Sequence, residues 1–155
     1  MTFRNPTFYA VFAMLAAGTA LSGPAAAQAD TAAGDAVAHN TAYEEGLARS
    51  LTTPETMGEL LQCSALWDRW SYIVESAADP AFVNGLREEL SAANAASRKL
   101  HWQRLARREM LDDDDTGYFD KMRGKAETQA DEEYADYASG AEGAMESMMG
   151  WLASC

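Results

Sequence analysis

The residues most suggestive of chemistry are a run of carboxylates, Asp112-Asp113-Asp114-Asp115-Thr116-Gly117-Tyr118-Phe119-Asp120. With Asp112 taken as position 1, the run resembles the start of an EF-hand calcium loop. Asp112, Asp114, Thr116, the Tyr118 carbonyl and Asp120 then fall at positions 1, 3, 5, 7 and 9, with Gly117 at the sharp turn. The likeness covers about nine residues and fails at position 12, where Arg123 stands in place of the bidentate Glu. A cation there implies weak calcium binding at most. The competing expectation is a helix boundary, because four aspartates oppose the negative end of a preceding helix and suit the start of the next one.

Other candidate chemistry is sparser. Arg98, Lys99, His101, Arg104, Arg107 and Arg108, with Trp102 among them, form a basic cluster. It can be read as a face for a partner or as an internal counterpart to acidic helices. Met145, Met148 and Met149 have the soft thioethers that suit Cu(I), but their spacing is also that of core filling, which is the expectation. Trp67, Trp70 and Trp151 are expected in the core, with Trp67 and Trp151 each four residues from a cysteine. His39 and His101 stand apart from other metal-ligand types and are expected to be solvated or singly hydrogen-bonded. No serine-hydrolase elbow, zinc-protease motif, phosphate loop or C-x-x-C pair occurs, so no catalytic residues are assigned and no enzyme is expected.

The two cysteines, Cys63 and Cys155, take their meaning from the N-terminus. Arg4, the apolar stretch Phe8 to Leu21, the break at Ser22-Gly23-Pro24 and the small residues from Ala25 to Ala29 resemble a Sec-type signal peptide. The apolar stretch is short against the ~20 residues of a spanning helix, so residues 1–29 are read as cleaved, with no membrane attachment afterwards. Export to the periplasm or outside the cell favours a Cys63–Cys155 disulfide. It would close a loop of about 90 residues, worth about 4 to 5 kcal/mol in chain-entropy terms.

The 155-residue chain has 24 acidic against 12 basic residues, a formal charge of −12, and is 48% hydrophobic. That suffices for one domain with a core and excludes full-length disorder. Loss of Arg4 with the signal makes the charge −13. Its distribution is uneven: −7 over residues 28–84, +4 over 85–108 and −10 over 109–155. So acidic a protein, once exported, is a poor partner for nucleic acid.

Periodicity must then place these residues. Residues 30–40 are small and polar and read as a flexible lead-in to a helical domain over 41–155. Tyr43, Leu47 and Leu51 suggest a short helix. Thr53 as N-cap and Pro54 at the first position open a second, running to Ala78. Asp79-Pro80 caps a third through Leu105. A last pattern from Tyr118 to Leu152 is expected to reverse near Ser139-Gly140 or Gly143, because Cys155 must return to Cys63. The predicted fold is all-α, an antiparallel bundle of four or five helices closed by one disulfide, with residues 141–153 beside the helix over 53–78. The implied function is an exported, non-enzymatic protein acting through protein contacts, as an adaptor, inhibitor or envelope-stress component. The alternative is a binding protein for calcium or for a small ligand in an aromatic-lined pocket, and cavity against filled core discriminates the two.

Overall fold

A computed structural model describes residues 24–50, 53–110 and 116–155, with side chains from residue 34 onward. The signal-peptide stretch Phe8 to Leu21 lies outside the described residues, as do Asp112 and Asp114. The described residues are all helical, without strands: α1 (Pro24–Arg49), α2 (Met57–Ser76), α3 (Pro80–Gly85), a 3-10 turn (Glu88–Leu90), α4 (Ala92–Arg108), α5 (Thr116–Ser139) and α6 (Ala144–Ser154). Helix α2 packs most extensively against α4 and α5, whereas α1 lies against α6 and α3. The core between them holds Tyr43, Leu61, Leu66, Trp67, Trp70, Leu90, Met148, Met149 and Leu152, all shielded from water. The methionines thus fill space as expected.

Among the described residues six α-helices form rather than four or five, because the stretch after Pro80 is interrupted. Asp79 caps α3 as expected, accepting from the Ala81 N–H at 2.8 Å with Pro80 behind it. The helix then stops at Gly85, and Leu86 and Arg87 turn to extended backbone before Ser91 caps α4. An extended break leaves backbone groups in need of partners. Asn40 of α1 supplies two: its Nδ2 donates to the Gly85 carbonyl and its Oδ1 accepts from the Arg87 N–H, both at 2.9 Å. Trp70 Nε1 supplies a third, donating to the Leu90 carbonyl at 2.8 Å.

These bonds correct the expectation for residues 30–40. They belong to α1, and Ala36 and His39 are buried. His39 is neither solvated nor alone: its Nδ1 is 2.6 Å from the Asp35 carbonyl and its Nε2 2.8 Å from the Tyr137 hydroxyl. A carbonyl can only accept, so Nδ1 carries the hydrogen and Nε2 accepts from Tyr137. The rings of Trp70, Phe82 and Tyr137 surround it at centroid distances of 5.2 to 5.7 Å. A histidine and small alanines can face a core when their polar atoms are met within it.

The start of α2 is also displaced from Thr53-Pro54. Thr56 is the N-cap: its hydroxyl accepts from the Glu59 N–H, and Glu59 Oε2 accepts from the Thr56 N–H at 2.9 Å. This reciprocal capping box satisfies two otherwise unpaired donors, which a proline at the first position cannot do.

The reversal between α5 and α6 falls where expected, with Gly140 and Gly143 at φ of +68° and +77°. The partner of α6 does not. It packs chiefly on α1 rather than α2, because Gly46, Gly150 and Ala153 let the two helices close together. A Cβ on Gly46 would stand 2.7 Å from that of Ala153. Gly46→Ala therefore tests the crossing by its sign. Helix propensity alone would stabilise the variant by about 1 kcal/mol, whereas overpacking costs about 1 to 3 kcal/mol. Net destabilisation in urea unfolding is expected.

Arg87 ties α1 to the break through Glu44 at 3.1 Å and pairs with Glu89 at 3.0 Å. The Arg87 guanidinium holds the Glu89 carboxyl down at about 2. A carboxyl depressed in the folded state stabilises above its unfolded value, and that contribution is lost as the pH falls from about 4.5 towards 2. Glu89→Gln is accordingly expected to flatten the acid limb of the stability profile in that window, with little change in its slope above pH 5.

A candidate docking cleft beside the disulfide

Cys63 and Cys155 are joined, with Cα atoms 5.4 Å apart. The bond fixes the end of α6 to the second turn of α2, and a cleft of about 680 Å³ opens beside it. Three helices supply its walls through residues that share a helical face. Gly58, Glu59, Gln62 and Cys63 come from α2, Gln129, Glu132, Glu133 and Asp136 from α5, and Trp151, Ser154 and Cys155 from α6. Thr53 and Pro54, displaced from their expected capping role, form part of the rim.

The charge of the cleft is one-sided. Four carboxylates line it and no lysine or arginine does. Glu59 is occupied by the capping box, whose backbone and hydroxyl donors keep its carboxyl below the usual range. Glu133 is occupied as well: Ser147 Oγ donates to it at 3.0 Å and Trp151 Nε1 at 3.2 Å. Those two bonds hold α6 against α5 and orient the indole. Glu132 and Asp136, one helical turn apart, are exposed. Trp151 is 44% exposed, unlike the Trp67 and Trp70 with which it was expected to be buried. Trp151 thus presents part of its ring to water among the carboxylates of the cleft. The Gln62 amide oxygen is shielded from water and has no hydrogen-bond donor.

The basic residues of α4 are not gathered on one open face. The Arg98 guanidinium lies 4.9 Å from the centre of the Trp67 ring, and its Nη1 donates to the Cys155 carbonyl at 3.4 Å. Lys99 pairs with Asp68 at 2.6 Å. Trp102 is buried and Arg107 covers the Phe119 ring at 4.8 Å. Arg104 bonds back to the Leu100 carbonyl of its own helix, and Arg108 is exposed. Among the described residues, aromatic faces thus engage two of these cations, Arg98 and Arg107, and ion pairing one, Lys99, a use of arginine that its flat, weakly hydrated guanidinium favours.

Of the calcium-loop residues, Thr116, Tyr118 and Asp120 lie in α5, where a backbone carbonyl at Tyr118 belongs to the helical ladder. Asp120 pairs with Arg123 at 3.3 Å. Among the described residues no group of three or more His, Cys, Asp or Glu is arranged to hold a metal ion.

Sequence reading passed over Gln62, Glu132, Glu133 and Asp136. The available signal was the spacing Gln129, Glu132, Glu133, Asp136, which marks one helical face beside the buried Ala126 and Ala130. What fold and cleft define together is an all-helical domain, closed by a disulfide, with an acidic cleft between three helices. No protein-family model matches the sequence, and comparison with curated proteins and with solved structures finds no similar chain.

Proposed function

We propose that this chain is an exported, non-enzymatic helical module that works by holding another protein on its surface, as an adaptor or inhibitor does. The observation that carries the reading is where its aromatic residues lie. Trp67, Trp70 and Tyr43 fill the core, while the 680 Å³ cleft is lined by polar and acidic side chains with Trp151 as its one aromatic. A filled aromatic core favours contact through the surface over capture of an apolar small molecule. The disulfide suits an oxidising compartment and supports export. No helix among the described residues is long and apolar enough to cross a membrane.

The test is affinity capture from an extract of the compartment to which the protein is exported, at low and high salt. Retained proteins are identified by mass spectrometry and then used as bait in the reverse direction. A partner recovered in both directions at low salt, and weakened at high salt, is expected from so acidic a surface. Recovery of no partner at either salt would overturn the reading.

A further inference from the structure

We infer that the cleft beside the disulfide receives a basic peptide segment of the partner, with a lysine or arginine side chain laid against Trp151 between Glu132 and Asp136. This rests on the surface-contact reading and adds the place and the chemistry.

The arrangement of charge on α5 points to the occupant. Its lysines and arginine, Lys121, Arg123 and Lys125, lie in the first half of the helix, and Asp131, Glu132, Glu133 and Asp136 lie in the second. Asp136 lies in the last turn, where the helix dipole disfavours a carboxylate. Glu132 and Asp136 also repel each other at i, i+4 spacing. Asp131 is relieved by Arg69 at 2.5 Å, and Glu127 is paired with Arg123 at 3.6 Å. No cation of the described chain pairs with Glu132 or Asp136. The fold therefore leaves two exposed carboxylates without a cation, both lining a cleft that has no lysine or arginine. A cleft of that charge is complementary to a positively charged segment.

The remaining lining fits the same occupant. Trp151, oriented through its bond to Glu133, offers an aromatic surface for a cation and for the apolar stem of a lysine or arginine. Gln62 adds an uncharged polar residue to the lining. An anionic segment would meet four carboxylates, and a purely apolar one would strip water from Glu132 and Asp136 without compensation.

The probe is a short unstructured peptide of alternating lysine and glycine, with a serine and glycine peptide of equal length as control. Binding to the full chain is followed by calorimetry and by indole fluorescence. The lysine peptide is expected to bind at low salt, to shift the emission of the exposed Trp151, and to release at high salt, while the control does neither. Trp151→Ala is expected to weaken binding about threefold. Glu132→Gln with Asp136→Asn is expected to weaken it about tenfold while leaving the melting temperature unchanged or raised, an outcome that a merely structural role would reverse. Equal binding to wild type and both variants would assign the attraction to overall charge and overturn the proposal, as would no binding at all. The two readings fail separately. A natural partner held equally by wild type and both variants removes the cleft and leaves the surface-contact function standing, whereas a wild-type protein with no partner removes that function.

Discussion

Replacing both cysteines with alanine (C63A/C155A) is expected to lower the unfolding free energy by about 4 kcal/mol. The bond joins residues 92 apart, so cutting it returns to the unfolded state the entropy lost in closing that loop. Against a typical stability of about 5 to 15 kcal/mol, that loss is a large share of the total. The structural effect should concentrate at one end. Helix α6 is reached through two glycines in the left-handed region and rests chiefly on α1, so without the bond its last turn is held by packing and by the hydrogen bonds of Trp151 to Glu133 and of Arg98 to the Cys155 carbonyl. Amide exchange should accelerate first in α6 and in the part of α1 around Gly46, which α6 covers. The cleft loses part of its wall in the same event, because Cys63 and Cys155 both line it. Urea unfolding of oxidised wild type against the double variant measures the difference. A loss below about 1 kcal/mol would show that packing of α6 on α1 suffices to hold the chain end, contrary to the entropic account.

What the sequence made legible follows from how local its cause is. Asp79-Pro80 and Gly140 with Gly143 act through backbone conformation within a few residues, and the structure places a cap and a reversal at those positions. The pairing of Cys63 with Cys155 was readable from two thiols and the expectation of an oxidising compartment. The lead-in over 30–40 was misread because its buried stripe, Ala36, His39 and Ala42, offers little apolar area to a periodicity count. What buries it is long-range: Asn40 answers backbone groups at Gly85 and Arg87, and His39 answers Tyr137, 98 residues away. The break after Gly85 was unreadable for the same reason, since its unpaired groups find partners on α1 and α2. The cleft was overlooked because its residues come from three helices whose mutual placement no spacing within one of them reveals. Only the acidic face of α5 could be read locally, and a run of carboxylates there resembles any solvated face until the absence of lining cations is seen.

Trp70→Ala is expected to cost about 3 to 5 kcal/mol, and Trp70→Phe, which keeps much of the buried ring, about 1 to 3 kcal/mol. Trp70 is completely buried and holds two relationships that the two variants separate. Its ring packs on His39 at 5.7 Å and edge-on to Tyr137 at 6.3 Å, joining α1 and α5 across α2. Its Nε1–H donates to the Leu90 carbonyl in the turn that precedes α4. Phenylalanine restores most of the first and none of the second, leaving the carbonyl of a fully buried residue without this donor. Its deficit therefore reports the hydrogen bond, and the further loss in alanine reports the cavity. Tyr137→Phe provides the coupling test, because it removes the donor to His39 Nε2 and nothing of the ring. If the three rings behave as one unit, Trp70→Ala and Tyr137→Phe combined will cost at least about 0.5 kcal/mol less than the sum of the single losses, since the first already loosens what the second would disrupt. Additive losses in a urea double-mutant cycle would instead mean that α1 and the break before α4 are held independently, and that the His39 contact contributes nothing to the placement of α4.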